Sequence, residues 1–287
     1  MRRGLVKLTA SLAVCAAIGA LLAAWAFWIE PSRLVFRETD LEIEPLPTGL
    51  AGLEVALLAD LHIGAPHVGL DRLERIVAET NARRPDLILL AGDYVIQGVI
   101  GGNPVDPADI FAILNGLDAP LGVYAVMGNH DWWYGYDRIV AEFARHAPRL
   151  RLLEDASVEV SSRDARFRLT GVTDYTEGPM DFAGELALAG GEFNIVFTHS
   201  PDIFPKLPQG VDLTFAGHTH GGQVYIPLLG RPIVPSEFGE KYALGTVREG
   251  GKTLFVSVGV GTSILPLRFL TPPEVNIVTL QRTGAVQ

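Results

Sequence analysis

The sequence predicts an α/β fold, one domain with two facing sheets, entered through a single apolar N-terminal helix. Three observations predict it. Residues 53–146 alternate short apolar runs with amphipathic helical patterns, the order of a largely parallel sheet with helices packed outside it. Residues 157–280 change character and read mostly as strands, with no convincing linker between the halves. Five of the predicted strand ends carry Asp, Asn or His together with small residues, at the edge where open α/β sheets bind ligands.

The first element is an address or an anchor. Residues 8–29 form a run of 22 without a charge, preceded by Arg2, Arg3 and Lys7 and followed by Glu30. About 20 apolar residues span the hydrocarbon core, and the basic flank stays cytoplasmic, which puts residues 30–287 outside. Three export readings stay open: an uncleaved signal anchor, a signal peptide cut near Ala24-Trp25-Ala26, and a twin-arginine signal at Arg2-Arg3. A buried core helix is the remaining reading, which the terminal position disfavours. The chain then divides into a signal or transmembrane segment at 1–29, a connection at 30–50 with one polar strand at 40–44, and a globular body at 51–287.

Within the body, strands are expected at 53–59, 86–91 and 122–127. Helices are expected at 71–83, 107–117 and 136–146, where apolar residues recur at helical spacing. Segments 157–161 and 166–172 alternate like a hairpin pair. Segments 193–198, 211–216, 224–226, 253–258 and 274–280 complete the strands.

Composition narrows the class. The 287 residues are 48% apolar and 20% charged, which excludes disorder as the main state. The one cysteine, Cys15, lies in the apolar run, so the body has neither a disulfide nor a cysteine nucleophile. The net charge of −10 includes three N-terminal bases, so the body is more acidic still; no nucleic-acid partner is expected.

The strand-end motifs are Asp60-Leu61-His62, Gly92-Asp93, Gly128-Asn129-His130-Asp131, Thr198-His199 and Gly217-His218-Thr219-His220, and they take five of the seven histidines. Singly each has a bland reading: a cap, a turn residue, a satisfied core histidine. Together at one sheet edge they read as a metal site. Mixed N/O donors without thiolate suit Mn, Fe or Zn. So many donors exceed one ion's need and suit two divalent cations about 3.5–4 Å apart with a bridging carboxylate.

As a set, these motifs resemble the signature of the calcineurin-like metallophosphoesterases, over a span from about Leu53 to the C-terminus. Gly217-His218-Thr219-His220-Gly221-Gly222-Gln223, Pro266-Leu267-Arg268 and Pro273-Glu274 resemble its exported or membrane-anchored bacterial branch. The resemblance implies a four-layer αββα sandwich of two mixed sheets. It implies one cation on Asp60, His62 and His220, a second on Asn129, His199 and His218, and Asp93 bridging them. His130 would be catalytic, facing the leaving group, and Arg268 or Arg231 would contact phosphate. Asp131 either orients His130 or caps the following turn.

The chemistry implied is hydrolysis of a phosphoester or pyrophosphate. Two cations clamp the phosphoryl oxygens and lower the pKa of a bridging water from about 16 toward neutrality, giving a hydroxide nucleophile. The run Gly92-Asp93-Tyr94-Val95-Ile96-Gln97 lacks the second Asp and the Arg of protein Ser/Thr phosphatases, which disfavours a phosphoprotein substrate. The anchor and the apolar runs Leu228-Leu229 and Ile264-Leu265-Pro266-Leu267 point to a lipid-linked substrate, with core packing as their plain alternative. Trp132-Trp133-Tyr134 read either as an amphipathic shelf or as helix packing. The competing function is a metal-stabilised interaction module of an envelope complex with little turnover.

Overall fold

A computed structural model describes residues 2–179 and 192–284. The apolar run forms α1 (Arg2–Ala24), prolonged by a wider turn at Trp25–Ile29. The first half then runs β1 (Val35–Ile43), β2 (Glu54–Leu58), α2 (Leu70–Arg83), β3 (Leu87–Ala91), α3 (Pro107–Leu114), β4 (Val123–Val126), α4 (Asn129–His146) and β5 (Arg151–Leu152). The second half adds β6 (Ala156–Ser162), β7 (Ala165–Val172), β8 (Phe193–Thr198), β9 (Leu213–Ala216), β10 (Gly245–Glu249), β11 (Lys252–Val256) and β12 (Glu274–Arg282).

Two six-stranded sheets result, ordered β1-β12-β2-β3-β4-β5 and β10-β11-β9-β8-β7-β6. Strands β2 to β5 are parallel, as the strand–helix alternation requires, while β12 returns antiparallel to β2. In the second sheet β7, β8, β9 and β11 are parallel, with β6 and β10 antiparallel on its edges.

Side-chain alternation assigns the layers. Ile88 and Leu90 face the helices with Leu73, Ile76, Ile110 and Phe111. Leu87 and Leu89 face the other way, against Ile195, Phe197 and Phe215 of the second sheet. Over that sheet's outer face, 3-10 turns at Pro201–Lys206 and Gly239–Tyr242 cover Val196 and Val256 with Phe204 and Tyr242. Each large apolar side chain buried in these layers contributes roughly 1.5–3 kcal/mol. The result is the αββα sandwich of two mixed sheets.

Helix ends obey local chemistry. Asp106 caps α3 by accepting from Ala108 N at 3.1 Å, with Pro107 at the first position. α2 ends on Arg84 in the left-handed conformation (φ 53°) before Pro85. α4 starts at Asn129, earlier than the apolar spacing predicts, and breaks at Gly135 (φ 126°, ψ 94°), so that the expected helix from 136 is its second part.

Three further differences have physical reasons. Residues 35–43, expected mostly as connection, pair with β12 along their whole length. A polar edge strand lacks the buried alternation that marks a strand in sequence. Within the segment 30–50, residues 35–43 are therefore part of the first sheet. Residues 224–226 form no strand, only single bridges of Val224 to Phe269 and Ile226 to Gly230. β10 carries no strand signal in the sequence because none of its residues is buried.

Glu154, just after β5, accepts Met127 N at 2.7 Å and steadies the end of β4. Burial pushes its carboxyl up to about 8, against the pull of the Met127 N–H. The native state thus keeps a proton that the unfolded chain releases from about pH 4.5 upward. Stability is complete below that pH and is lost progressively up to about pH 8. Glu154→Gln keeps an acceptor and removes the ionisation. Its melting temperature should match wild type near pH 4.5 and exceed it by several degrees at pH 8–9, a few kcal/mol at most. A constant offset across that range would contradict the assignment.

Candidate functional site

The five motifs converge where the parallel strands of both sheets end. Asp60 and His62 follow β2, and Asp93 follows β3. Asn129 and His130 open α4 after β4, His199 follows β8, and His218 and His220 follow β9. The ladder continues into the motifs, with Asp60 N donating to Gly92 O at 3.0 Å and His62 N to Asp93 O at 2.9 Å. All eight side chains lie together, seven buried and His218 half-buried.

Two donor groups are evident. In the first, His62 Nε2 lies 3.1 Å from His220 Nε2, and His220 Nε2 lies 3.6 Å from Asp60 Oδ1. In the second, Asn129 Oδ1 lies 3.0 Å from His199 Nε2 and 2.9 Å from His218 Nδ1, with the two imidazole nitrogens 3.2 Å apart. Asp93 Oδ2 stands between them, 3.3 Å from His62 Nε2 and 3.3 Å from His199 Nε2.

These contacts fit cations. His199 Nδ1 donates to Ala91 O at 2.7 Å, which leaves a lone pair on Nε2 in the neutral ring. That lone pair faces the amide oxygen of Asn129, an acceptor against an acceptor. A cation between them relieves the contact, as would rotation of the amide, and a cation also serves His218 Nδ1, 2.9 Å from the same oxygen. Burial disfavours charge on His199, but Asp93, Asp60 and Asp174 outweigh it and hold its pKa well above normal. Burial keeps the other imidazoles neutral, the metal-binding form. His62 falls to about 3 despite Asp93, and His218 to about 4 with His199 adding repulsion. Burial, aided by His62 and Arg268, puts His220 well below its usual value.

Backbone strain is concentrated here. Asp60, His62, Asp93, His218 and His220 all have φ between 44° and 70°. The left-handed region costs a non-glycine residue about 1–3 kcal/mol where it is strained, and it persists only where surroundings over-determine it. The surroundings are tight. A Cβ on Gly259 would lie 2.5 Å from Asp60 Cβ, and one on Gly261 would lie 2.4 Å from His62 Cβ. These glycines serve close approach to the ligand side chains.

His130 is set apart by its tautomer. Its Nδ1 accepts Gln97 N–H at 3.1 Å, so the neutral ring carries its proton on Nε2. Burial lowers its pKa despite Asp93, which favours that neutral ring. Its nitrogen lies close enough to His62 and Asp93 to share an ion with them, but this tautomer has no free lone pair to offer. Trp133, 54% exposed, packs its ring 4.8 Å from the imidazole, while Trp132 stacks on Tyr136 at 3.9 Å. The aromatic run is thus half shelf and half packing.

Asp131 does not touch His130. Its Oδ2 accepts Asp93 N at 2.8 Å and Gly128 N at 2.9 Å, and its Oδ1 accepts Tyr94 N at 3.0 Å. It pins the Gly92-Asp93 turn to the start of α4. Arg268, expected at phosphate, is instead fully buried. Its guanidinium donates to the carbonyls of Val258, Gly259, Gly261 and Thr271, and so holds the glycine loop against Asp60 and His62. Its Nη2 also lies 3.4 Å from His220 Nδ1, so the guanidinium supports a candidate ligand from behind. Arg231 is likewise engaged, with Gly221 O and Thr271 Oγ1. Asp174 escaped the sequence reading: it is fully buried two residues beyond β7 at the same sheet edge, and an acid just past a strand end was its signal.

Comparison with known proteins agrees with this geometry. The model of the calcineurin-like phosphoesterase family matches residues 53–222. YkuE, an uncharacterized metallophosphoesterase of Bacillus subtilis (strain 168), is 30% identical over 266 residues, covering 91% of this chain and 90% of its own. The phosphodiesterase YaeI of Escherichia coli (strain K12) is 31% identical over 239 residues, covering 80% and 83%. A transmembrane protein with metallophosphoesterase domain from Danio rerio is 27% identical over 269 residues, covering 88% and 58%. A family match across more than half the chain, on a sandwich whose strand ends gather candidate metal donors, means that this chain belongs to the calcineurin-like phosphoesterases and is a metal-dependent hydrolase of phosphoric esters.

Proposed function

We propose that the chain is a dinuclear phosphoesterase anchored in the membrane by α1, with its body on the outer face and a lipid-linked phosphoester or pyrophosphate as substrate. Asp60, His62 and His220 hold one cation, Asn129, His199 and His218 hold the other, and Asp93 serves both. The observation that carries this reading is Asp93 Oδ2, equidistant at 3.3 Å from a histidine of each donor group. Mixed N/O donors suit Mn, Fe or Zn. When bound, the two cations supply positive charge to the phosphoryl oxygens and an activated water.

The chain's own residues do the rest. Asp131 and Arg268 hold the ligand turns in their strained conformations from behind. His130 presents an Nε2–H that can bond a phosphoryl oxygen or protonate the departing one. The name of the E. coli relative, a phosphodiesterase, supports an ester substrate of that class.

Several features support retention of α1 as an anchor. Ala26 O accepts from Arg268 N at 2.9 Å. Glu30, 1% exposed, takes Trp25 Nε1 at 2.5 Å and Thr271 N at 2.6 Å. Cleavage beside Ala26 would strip partners from the loop that carries Arg268. Arg2, Arg3 and Lys7, ahead of the uncharged run in α1, support an outward body.

The test uses the full-length protein in detergent, loaded with Mn²⁺, Zn²⁺ or Fe²⁺, for metal content and hydrolysis of bis-aryl and mono-aryl phosphates and lipid pyrophosphates. Two cations per chain and turnover abolished by chelation are expected. Full activity with a single cation would overturn the dinuclear reading, and a loaded protein inert on every phosphate would overturn the catalytic one. A C-terminal reporter active only in the cytoplasm would reverse the topology.

A further inference from the structure

Among the described residues of the body, the five most exposed large apolar side chains are Leu228, Ile233, Leu229, Ile264 and Ile100. They fall on only three loops, and those loops are tied together. Ile100 N donates to Ile264 O at 3.0 Å, and Tyr225 N to Phe269 O at 2.8 Å. Gln223 Oε1 accepts Ser263 N at 2.7 Å. The same assembly reaches the end of the apolar helix, through Arg268 N on Ala26 O and Thr271 N on Glu30 Oε1.

Two of the tips carry an unusual load. Leu228 (φ 74°) and Ile264 (φ 60°) sit in the left-handed region, which is poorly suited to bulky side chains and worst for β-branched ones. Ile226 O closes the first tip by accepting Leu229 N at 3.0 Å and Gly230 N at 2.9 Å. Leu228 is then fully exposed, and Ile264 is 68% exposed. In water, Asn or Gly would serve such turns better.

Charge is sorted in the same way. The chain holds 33 acids, none before Glu30, yet residues 94–105, 219–236 and 257–273 contain no Asp or Glu. One carboxylate from outside the loops, Glu240, meets them, accepting Arg231 N at 3.0 Å; an apolar rim whose own loops carry no acid, on an acidic body, is complementary to a bilayer surface and not to water.

We propose that the three loops form a rim seated in the lipid bilayer, with Ile100, Leu228, Leu229, Ile233 and Ile264 entering the boundary between headgroups and acyl chains. The 20 residues of Ala10–Ile29 measure about 30 Å as helix, one hydrocarbon thickness. The membrane boundary therefore falls at the last turn of the span, Ala26–Ile29, about 4.5 Å deep, where the Arg268 loop docks on Ala26, with Trp25 and Trp28 at the depth that interfacial aromatics occupy. Gln223, which ties the rim loops, lies three residues after His220, so the rim places the candidate metal site at headgroup depth. The proposal rests on the retained-anchor reading of α1 and deepens the lipid-linked reading of the site, but does not depend on metal count.

The test uses the full chain carrying Cys15→Ala, reconstituted in phosphatidylethanolamine–phosphatidylglycerol vesicles. A nitrobenzoxadiazole label is placed at Leu229→Cys, at Ile264→Cys, or at Asp164→Cys. Asp164 lies in the β6–β7 turn, at the sheet end away from the site. Doxyl-labelled lipids should quench positions 229 and 264 at least about twofold more than 164, with blue-shifted emission at both. Labels at 229 and 264 as wet as the one at 164 would overturn the rim. So would shielding from aqueous iodide without lipid quenching, rising with protein density, because a second copy would then cover the loops. The readout needs no turnover, so an embedded but inert protein would refute the catalytic reading and leave the rim standing.

Discussion

Asp93→Asn should release both cations and lower turnover on the order of 10³-fold or more. Burial pushes the Asp93 carboxyl up, yet His199 and His62 hold it well below its usual range, so the residue is a charge in the native protein. Its Oδ2 serves both donor groups, and its Oδ1 accepts His130 N at 2.8 Å. Asparagine retains the volume and can keep the bond to His130, so the fold should survive. A neutral amide cannot compensate two divalent charges from one position. Metal content, steady-state rates and a thermal melt on the same preparation check the outcome. Two bound cations with wild-type turnover would sink the bridging assignment.

His130→Ala should keep both cations and lose about 10²–10⁴-fold in turnover. The tautomer set by Gln97 N puts the ring proton on Nε2, which suits the side chain to donate. The loss should depend on the leaving group. An aryl ester with an acidic phenol needs little protonation and should lose least, while an alkyl ester should lose most. An equal loss across leaving groups would show that His130 only binds phosphate. Loss of metal would instead make it a ligand beside His62 and Asp93.

Much of this was legible in the sequence, and for identifiable reasons. Strands such as Leu87–Ala91 and Phe193–Thr198 are buried on every residue, and their apolar runs announce them. The exposed edge strands β1 and β10 carry no such signal, since an edge leaves one side to water. The expected phosphate contact at Arg268 failed because a guanidinium near a glycine loop looks the same on paper whether it meets a ligand or carbonyls. The helical spacing likewise did not reveal the break at Gly135, nor that Trp132 stacks on Tyr136 while Trp133 meets His130.

The sequence by itself determined the donor types, their order along the chain, their places at strand ends and the apolar helix ahead of them. These are local properties, written in residue chemistry and in strand or helix periodicity. Only the tertiary structure decided which lone pairs face each other, that Asp93 stands between two groups, that Asp131 and Arg268 brace the turns, and that the apolar loops gather beside the helix end. Several of those outcomes join residues more than a hundred positions apart, such as His62 with His220 and Glu30 with Thr271. They arise only when two sheets meet face to face and their strand ends share one edge.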